Sequence, residues 1–187
     1  MHDIITQCRR GDAKAFTLLV RSHQDYAFAL AFRMLTDEDE AQDVVQETFI
    51  RIWKNLDQYD TAQKFTTWMY AIVSRLCLDR LRSRSRSHRL FRRSSDETTI
   101  REVHGPADPE VLYENQEIGE IIRLLSQDLS PTQRLVFTLR DLQECTIQEV
   151  CAITGLSEGS VKTNLSYARQ KIRQRLARQY HITGSQS

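Results

Sequence analysis

Apolar residues recur every three or four positions along most of this chain, while strict alternation is weak. That period lays apolar side chains along one stripe of an α-helix and predicts an all-α protein. Ile4, Ile5 and Cys8 mark a short first helix ending near Gly11. Phe16, Leu19 and Val20, followed by Tyr26, Ala27, Leu30, Ala31 and Met34, predict two more. Asp37 can cap the next helix, with Glu40 at the capping-box position. Acids in that first turn also suit the positive end of the helix dipole, which accounts for Asp37 to Glu40 without a partner. Ala41, Val44, Val45, Thr48, Phe49, Ile52 and Leu56 then share a broad core face. Asp43, Gln46, Glu47, Arg51 and Lys54 cover the other side, with Ile50 alone among them. A helix over Phe65–Arg82 turns Trp68, Ile72, Leu76 and Leu81 mostly inward.

The period lapses over residues 83–110, where serine and arginine give way to Gly105, Pro106 and Pro109. Such a stretch reads as a flexible linker. The expected organisation is a first helical domain over 1–83, a linker over 84–112, a second domain over 113–180 and a tail over 181–187. In the second domain Ser130-Pro131 places a capping serine before a proline suited to the first turn, with Gln133 completing a capping box. Leu135, Val136, Leu139 and Leu142 extend that stripe. Thr146 and Glu149 form another box, Gly155 suits a left-handed C-cap, and Ser157 can cap a long helix beyond it. Two helices joined by about four residues around a glycine match a helix-turn-helix.

Charge sharpens this picture. The net charge is only +1, yet it is segregated. Asp37 to Glu47 holds six acids and no base, whereas Arg75 to Arg93 holds eight arginines against Asp79. Lys162 to Arg178 holds six bases and no acid. Basic blocks in two separate segments fit nucleic acid better than two solvated helix faces. On the long helix, Val161, Leu165, Ala168, Ile172 and Leu176 face inward. Ser160, Thr163, Ser166, Tyr167 and Gln170 lie opposite, flanked by Lys162 and Arg169, as a major-groove helix requires. Lys171, Arg173, Arg175 and Arg178 are better placed for phosphates. The acid-edged helix cannot share that partner. Ile50 framed by Asp43, Gln46, Glu47 and Arg51 has the make-up of a protein interface, an apolar centre with a polar rim. Glu47 and Arg51 also sit at i,i+4 spacing, so a purely structural use of them competes.

Cys8, Cys77, Cys145 and Cys151 lack metal-ligand spacing and read as buried thiols in a reducing compartment. No metal or other cofactor is expected. No apolar run nears the roughly 20 residues of a membrane span and the N-terminus lacks a signal-peptide pattern, so the expected location is the cytoplasm. His2, His23, His88, His104 and His181 are scattered, and there is no phosphate loop or HExxH, so nothing points to an enzyme.

Together the motifs GDAKAF (11–16), AQDVVQETFIRIW (41–53), FTTWMYAI with LDRLR following, LSPTQRLVFTLRDLQ and TIQEVCAITGLSEGSVKTNLSYARQKIRQRL resemble the extracytoplasmic-function sigma factors of the sigma-70 family. The resemblance spans nearly the whole chain. It implies a region 2 bundle that docks on the β′ clamp helices of core RNA polymerase through Asp43, Gln46, Glu47, Ile50 and Arg51. It implies capture of unpaired −10 promoter DNA by Tyr59, Lys64, Phe65, Thr66, Trp68, Arg75, Arg80 and Arg82. It also implies a region 4 that binds the β flap and reads the −35 element with Ser160, Lys162, Thr163, Asn164, Ser166, Tyr167, Arg169 and Lys171. Members of the family are commonly restrained by an anti-sigma factor, often membrane-anchored. This chain has Arg75 where the family usually has a pocket-shaping asparagine, and Asn164 and Tyr167 at two positions that are often basic. A helix-turn-helix repressor or activator acting without polymerase is the rival reading, but it leaves the acid-edged helix without a role.

Overall fold

The computed structural model describes residues 2–91 and 128–183, with side chains at 3–87 and 128–178. Four helices precede residue 92: α1 (His2–Arg9), α2 (Ala13–Leu35), α3 (Glu38–Asn55) and α4 (Phe65–Phe91). A 3-10 turn, Leu56–Gln58, follows α3. Beyond residue 127 come α5 (Pro131–Phe137), a π-helical turn (Thr138–Leu142), α6 (Ile147–Thr154) and α7 (Glu158–Thr183). No strand occurs among the described residues, so the all-α expectation holds. Most of the linker expected over 84–112 falls outside the described residues, as does the start of the second domain.

The helix starts follow the capping chemistry. Asp37 accepts from Glu40 N at 2.9 Å. Both boxes close, Ser130 with Gln133 and Thr146 with Glu149. Gly155 takes φ +73° and ends α6, and Ser157 Oγ accepts from Ser160 N to start α7. Together α6, Gly155 and α7 form the expected helix-turn-helix.

Four boundaries differ from the sequence pattern. The two helices expected between Phe16 and Met34 are a single 23-residue helix, α2. The apolar stripe lapses there because His23, itself buried, takes one of its places. The last helix of the first half runs past Arg82 to Phe91. Arg84 holds that extension by reaching Glu40 at 2.7 Å, Asp37 at 3.6 Å and the Leu35 carbonyl at 3.1 Å. Asp37 and Glu40 therefore do more than start α3: they anchor α4. The stripe through Leu142 is broken into α5 and a π turn, a rare geometry frequent at functional sites. Finally, α7 continues to Thr183, into the expected tail.

The core is one apolar cluster shared by both halves. Leu19, Leu30, Met34, Val44, Ile52, Met69 and Val73 fill the first half, and Leu135, Leu139, Val150, Val161 and Leu165 the second. Helix α4 packs on α6, and α2 on α5. At that junction Arg134, 6% exposed, donates to the Met34 carbonyl at 2.7 Å, at the C-terminal end of α2 where the helix dipole is negative. Tyr70 Oη donates to Gln143 Oε1 at 2.8 Å, and Lys64 Nζ meets Glu149 at 2.7 Å.

Gly155 isolates one backbone requirement. A Cβ there would meet nothing within 4 Å, so Gly155→Ala suffers only the left-handed conformation. The expected loss is about 1 kcal/mol of unfolding free energy in a denaturant titration.

Candidate protein-docking and nucleic-acid interfaces

Helices α2 and α3 leave an apolar groove of about 640 Å3 between them, lined by Phe16, Val20, Val45, Gln46, Phe49, Ile50 and Trp53 among others. Ile50 is 47% exposed and Trp53 40%, large apolar groups in water on one face of α3. Trp53 is held edge-on to Phe16 with ring centroids 4.7 Å apart. Glu47 and Arg51 pair with each other at 2.8 Å. Asp43 instead pairs with Arg80 of α4 at 3.5 Å. Of the five residues expected at a docking face, Gln46 and Ile50 line the groove. Trp53 was missed by the sequence reading, although it follows Ile50 by three residues and so falls on the same face.

A second cavity, of about 430 Å3, opens beside the loop before α4 and is lined by Ile5, His23, Tyr59, Thr61, Gln63, Lys64, Phe65 and Thr66. Its walls are braced from several elements. Arg9 donates to the carbonyls of Leu56 and Tyr59, and Tyr59 Oη donates to the Gln63 carbonyl at 2.6 Å. Tyr59, Phe65 and Trp68 contact one another with ring centroids 5.1–6.0 Å apart. Tyr59 and Phe65 are buried, so they serve as walls of a pocket and not as open stacking platforms. Thr66 and Trp68 are half-buried and Lys64 is exposed. Along α4, Arg75 is exposed without an ion pair among the described residues, Arg80 is half-buried, and Arg82 pairs with Asp79 at 3.1 Å.

On α7, Lys162, Thr163, Ser166, Tyr167, Arg169 and Lys171 are exposed, while Ser160 and Asn164 are half-buried. Tyr167, a large aromatic side chain, is 54% exposed. Asn164 donates back to the Ser160 carbonyl at 2.8 Å, which turns part of its hydrogen-bonding capacity inward. Lys162 pairs with Glu158. Arg169 makes a bidentate contact to Asp141 in the π turn, at 2.6 and 2.8 Å, which raises its pKa further. Lys171 donates to the Asp128 carbonyl at 2.8 Å.

The chain matches the sigma-70 region 2 family over residues 19–87 and the sigma-70 region 4 family over residues 119–172. It is 31% identical over 176 residues to the ECF RNA polymerase sigma factor SigW of Bacillus subtilis, covering 92% of this chain and 94% of that one. The chain belongs to the extracytoplasmic-function sigma factors of the sigma-70 family. It is also 29% identical over 173 residues to the ECF RNA polymerase sigma-E factor of Escherichia coli, across 90% of each chain. Among solved structures it resembles CnrH in complex with the cytosolic domain of CnrY, at 26% identity and a TM-score of 0.66 over 93% of this chain and 95% of that one. As a sigma factor it directs core RNA polymerase to promoters, and the repressor reading is set aside.

Within this sigma factor, region 4 rests on region 2, and cations expected at DNA are held by carboxylates. Lys64 at the cavity is paired with Glu149 of the helix-turn-helix, and Arg169 with Asp141. The sequence could not reveal either pair, because the partners lie far apart in the chain. Three of the thiols, Cys8, Cys77 and Cys145, are buried and held above the ordinary thiol pKa. Burial pushes Cys77 up to about 12 and Cys145 up to about 11, which disfavours the reactive thiolate. Among the described residues no His, Cys, Asp or Glu side chains group as metal ligands, and no helix is long and apolar enough to cross a membrane.

The Lys64–Glu149 contact predicts a pH dependence. The hydrogen bond from Lys64 holds the Glu149 carboxyl below its ordinary value. Its contribution is therefore full above the usual glutamate pKa of about 4.3 and is lost as the pH falls through the lower folded value. The difference in unfolding free energy between wild type and Glu149→Gln should be constant from neutral pH to the top of that window and shrink below it.

Proposed function

We propose that region 2 docks on the β′ clamp helices of core RNA polymerase through the α2–α3 groove. Ile50 and Trp53 form its apolar centre, with Gln46, Glu47 and Arg51 as the polar rim. Region 4 engages the β flap and reads the −35 duplex, with Thr163, Ser166 and Tyr167 toward base edges and Lys162, Arg169 and Lys171 on phosphates. The cavity bounded by Tyr59, Lys64, Phe65 and Thr66 receives an unpaired −10 base, with Trp68 bracing its wall and the arginines of α4 tracking the backbone. Asp43 acts through its pair with Arg80, on the side of α3 toward α4. The protein works in the cytoplasm without catalysing a reaction of its own.

The observation that carries this reading is the pairing, in one chain, of an apolar groove with no charged residue in its lining and a cavity with room for a base beside a basic helix. Phosphate finds no cation in the lining of the first and is attracted to the second. The ion pairs Lys64–Glu149 and Arg169–Asp141 must be exchanged for phosphate contacts on promoter binding; the first joins the two regions, so DNA favours a form in which region 4 has left region 2. CnrH is seen with the cytosolic domain of CnrY. An anti-sigma factor that holds this chain in its closed form would act on the same equilibrium.

Core binding and DNA binding separate experimentally. Ile50→Asp should weaken affinity for core polymerase about thirtyfold, the loss of a hot spot of about 2 kcal/mol, while promoter recognition by whatever holoenzyme does form stays normal. An unchanged dissociation constant would remove the groove from the docking surface. Lys162→Ala should weaken −35 binding evenly across sequences and lower the salt slope by about 1. A slope equal to that of wild type would take Lys162 off the phosphate backbone.

A further inference from the structure

His23 is the one side chain of the −10 cavity that comes from the middle of α2. It is 5% exposed, polar, and lies where the stripe of α2 calls for an apolar residue. Its ring meets Phe65 edge-on, with centroids 4.8 Å apart. Nδ1 lies 2.9 Å from the Leu19 carbonyl, which can only accept, so Nδ1 carries the proton. The neighbouring Ser22 hydroxyl, 2.9 Å from Nδ1, already donates to the Leu18 carbonyl. In the neutral ring the lone pair is then on Nε2, an acceptor with no partner among the described residues. A ligand that fills the cavity takes that acceptor out of water and must then supply a donor to it.

We infer that His23 determines which base the cavity holds, accepting through Nε2 from the exocyclic amine of a flipped cytosine or adenine. This rests on reading the cavity as the −10 capture site. The volume of about 430 Å3 leaves ample room for a base. The aromatic walls cover its faces, and the backbone hydrogen bond of Nδ1 stops the ring from turning its N–H toward the cavity. Thymine places a carbonyl oxygen where cytosine has its amine, so two lone pairs would oppose each other. A site built around a hydrogen bond rejects a ligand lacking the donor, because the buried acceptor is then left bare.

The test uses the full chain with core RNA polymerase on promoters carrying each base at each −10 position, read as rates of open-complex formation. At one position wild type should favour cytosine or adenine over thymine about tenfold, the scale of a single buried hydrogen bond. Replacing that base by its analogue without the amine, 2-pyrimidinone for cytosine or purine for adenine, should cost wild type about the same factor. His23→Phe should lose both discriminations while keeping core affinity and −35 dependence, and His23→Gln, which retains an acceptor, should recover part of them. The readout is a ratio between two bases in one protein, so a general loss of stability cancels. If wild type discriminates bases but tolerates loss of the amine, or if His23→Phe discriminates as wild type does, the assignment to His23 is overturned while base capture stands. If wild type distinguishes no base at any −10 position, capture by this cavity falls and the assignment falls with it.

Discussion

The arrangement of this sigma factor turns on a buried cation at the end of a helix. Arg134 is almost wholly removed from water, and burial lowers its pKa, with the Arg84 charge acting in the same direction. Its guanidinium donates to the Met34 carbonyl at 2.7 Å, at the C-terminal end of α2. A guanidinium so enclosed is tolerable only while its donors are satisfied, which makes the contact sensitive to position. It sets α5 against α2. From that seat the Tyr70–Gln143 and Lys64–Glu149 contacts follow, bringing the helix-turn-helix beside the loop that precedes α4.

That seat determines how the surface charge is used. Several residues suited to phosphate are already in ion pairs: Lys64 with Glu149, Arg169 with Asp141, Arg80 with Asp43. Exposed pairs of this kind contribute little to stability. Their weight is in competition, since each must be given up before the same cation can contact DNA. The pair of Lys64 with Glu149 joins region 2 to region 4 and favours a closed protein in the absence of promoter and core enzyme, at an energy small enough for binding to reverse.

How far these features could be read from the sequence depends on their range along the chain. Capping boxes, the left-handed Gly155 and the three-to-four period are local, and the helices they announce are present. Where the reading of α2 went wrong, the cause was His23, a buried polar residue that interrupts an apolar pattern without interrupting the helix. The end of α4 was misplaced because Arg84 is held by residues more than 40 positions earlier, across the start of α3. Trp53 lay within reach of the periodicity but became notable only once the groove beside Ile50 had depth.

The sequence alone therefore determined an all-helical chain, a helix-turn-helix near its C-terminal end, and the division between an acid-edged helix and two basic segments. Those depend on propensity, capping and helical period, which act over a few residues. The tertiary structure decided which charges meet, that region 4 rests on region 2, and that His23 lines the cavity beside the loop before α4. Each of these requires groups far apart in the chain to be brought within about 3 Å of one another or around a common space. That depends on how the helices pack, which no local pattern specifies.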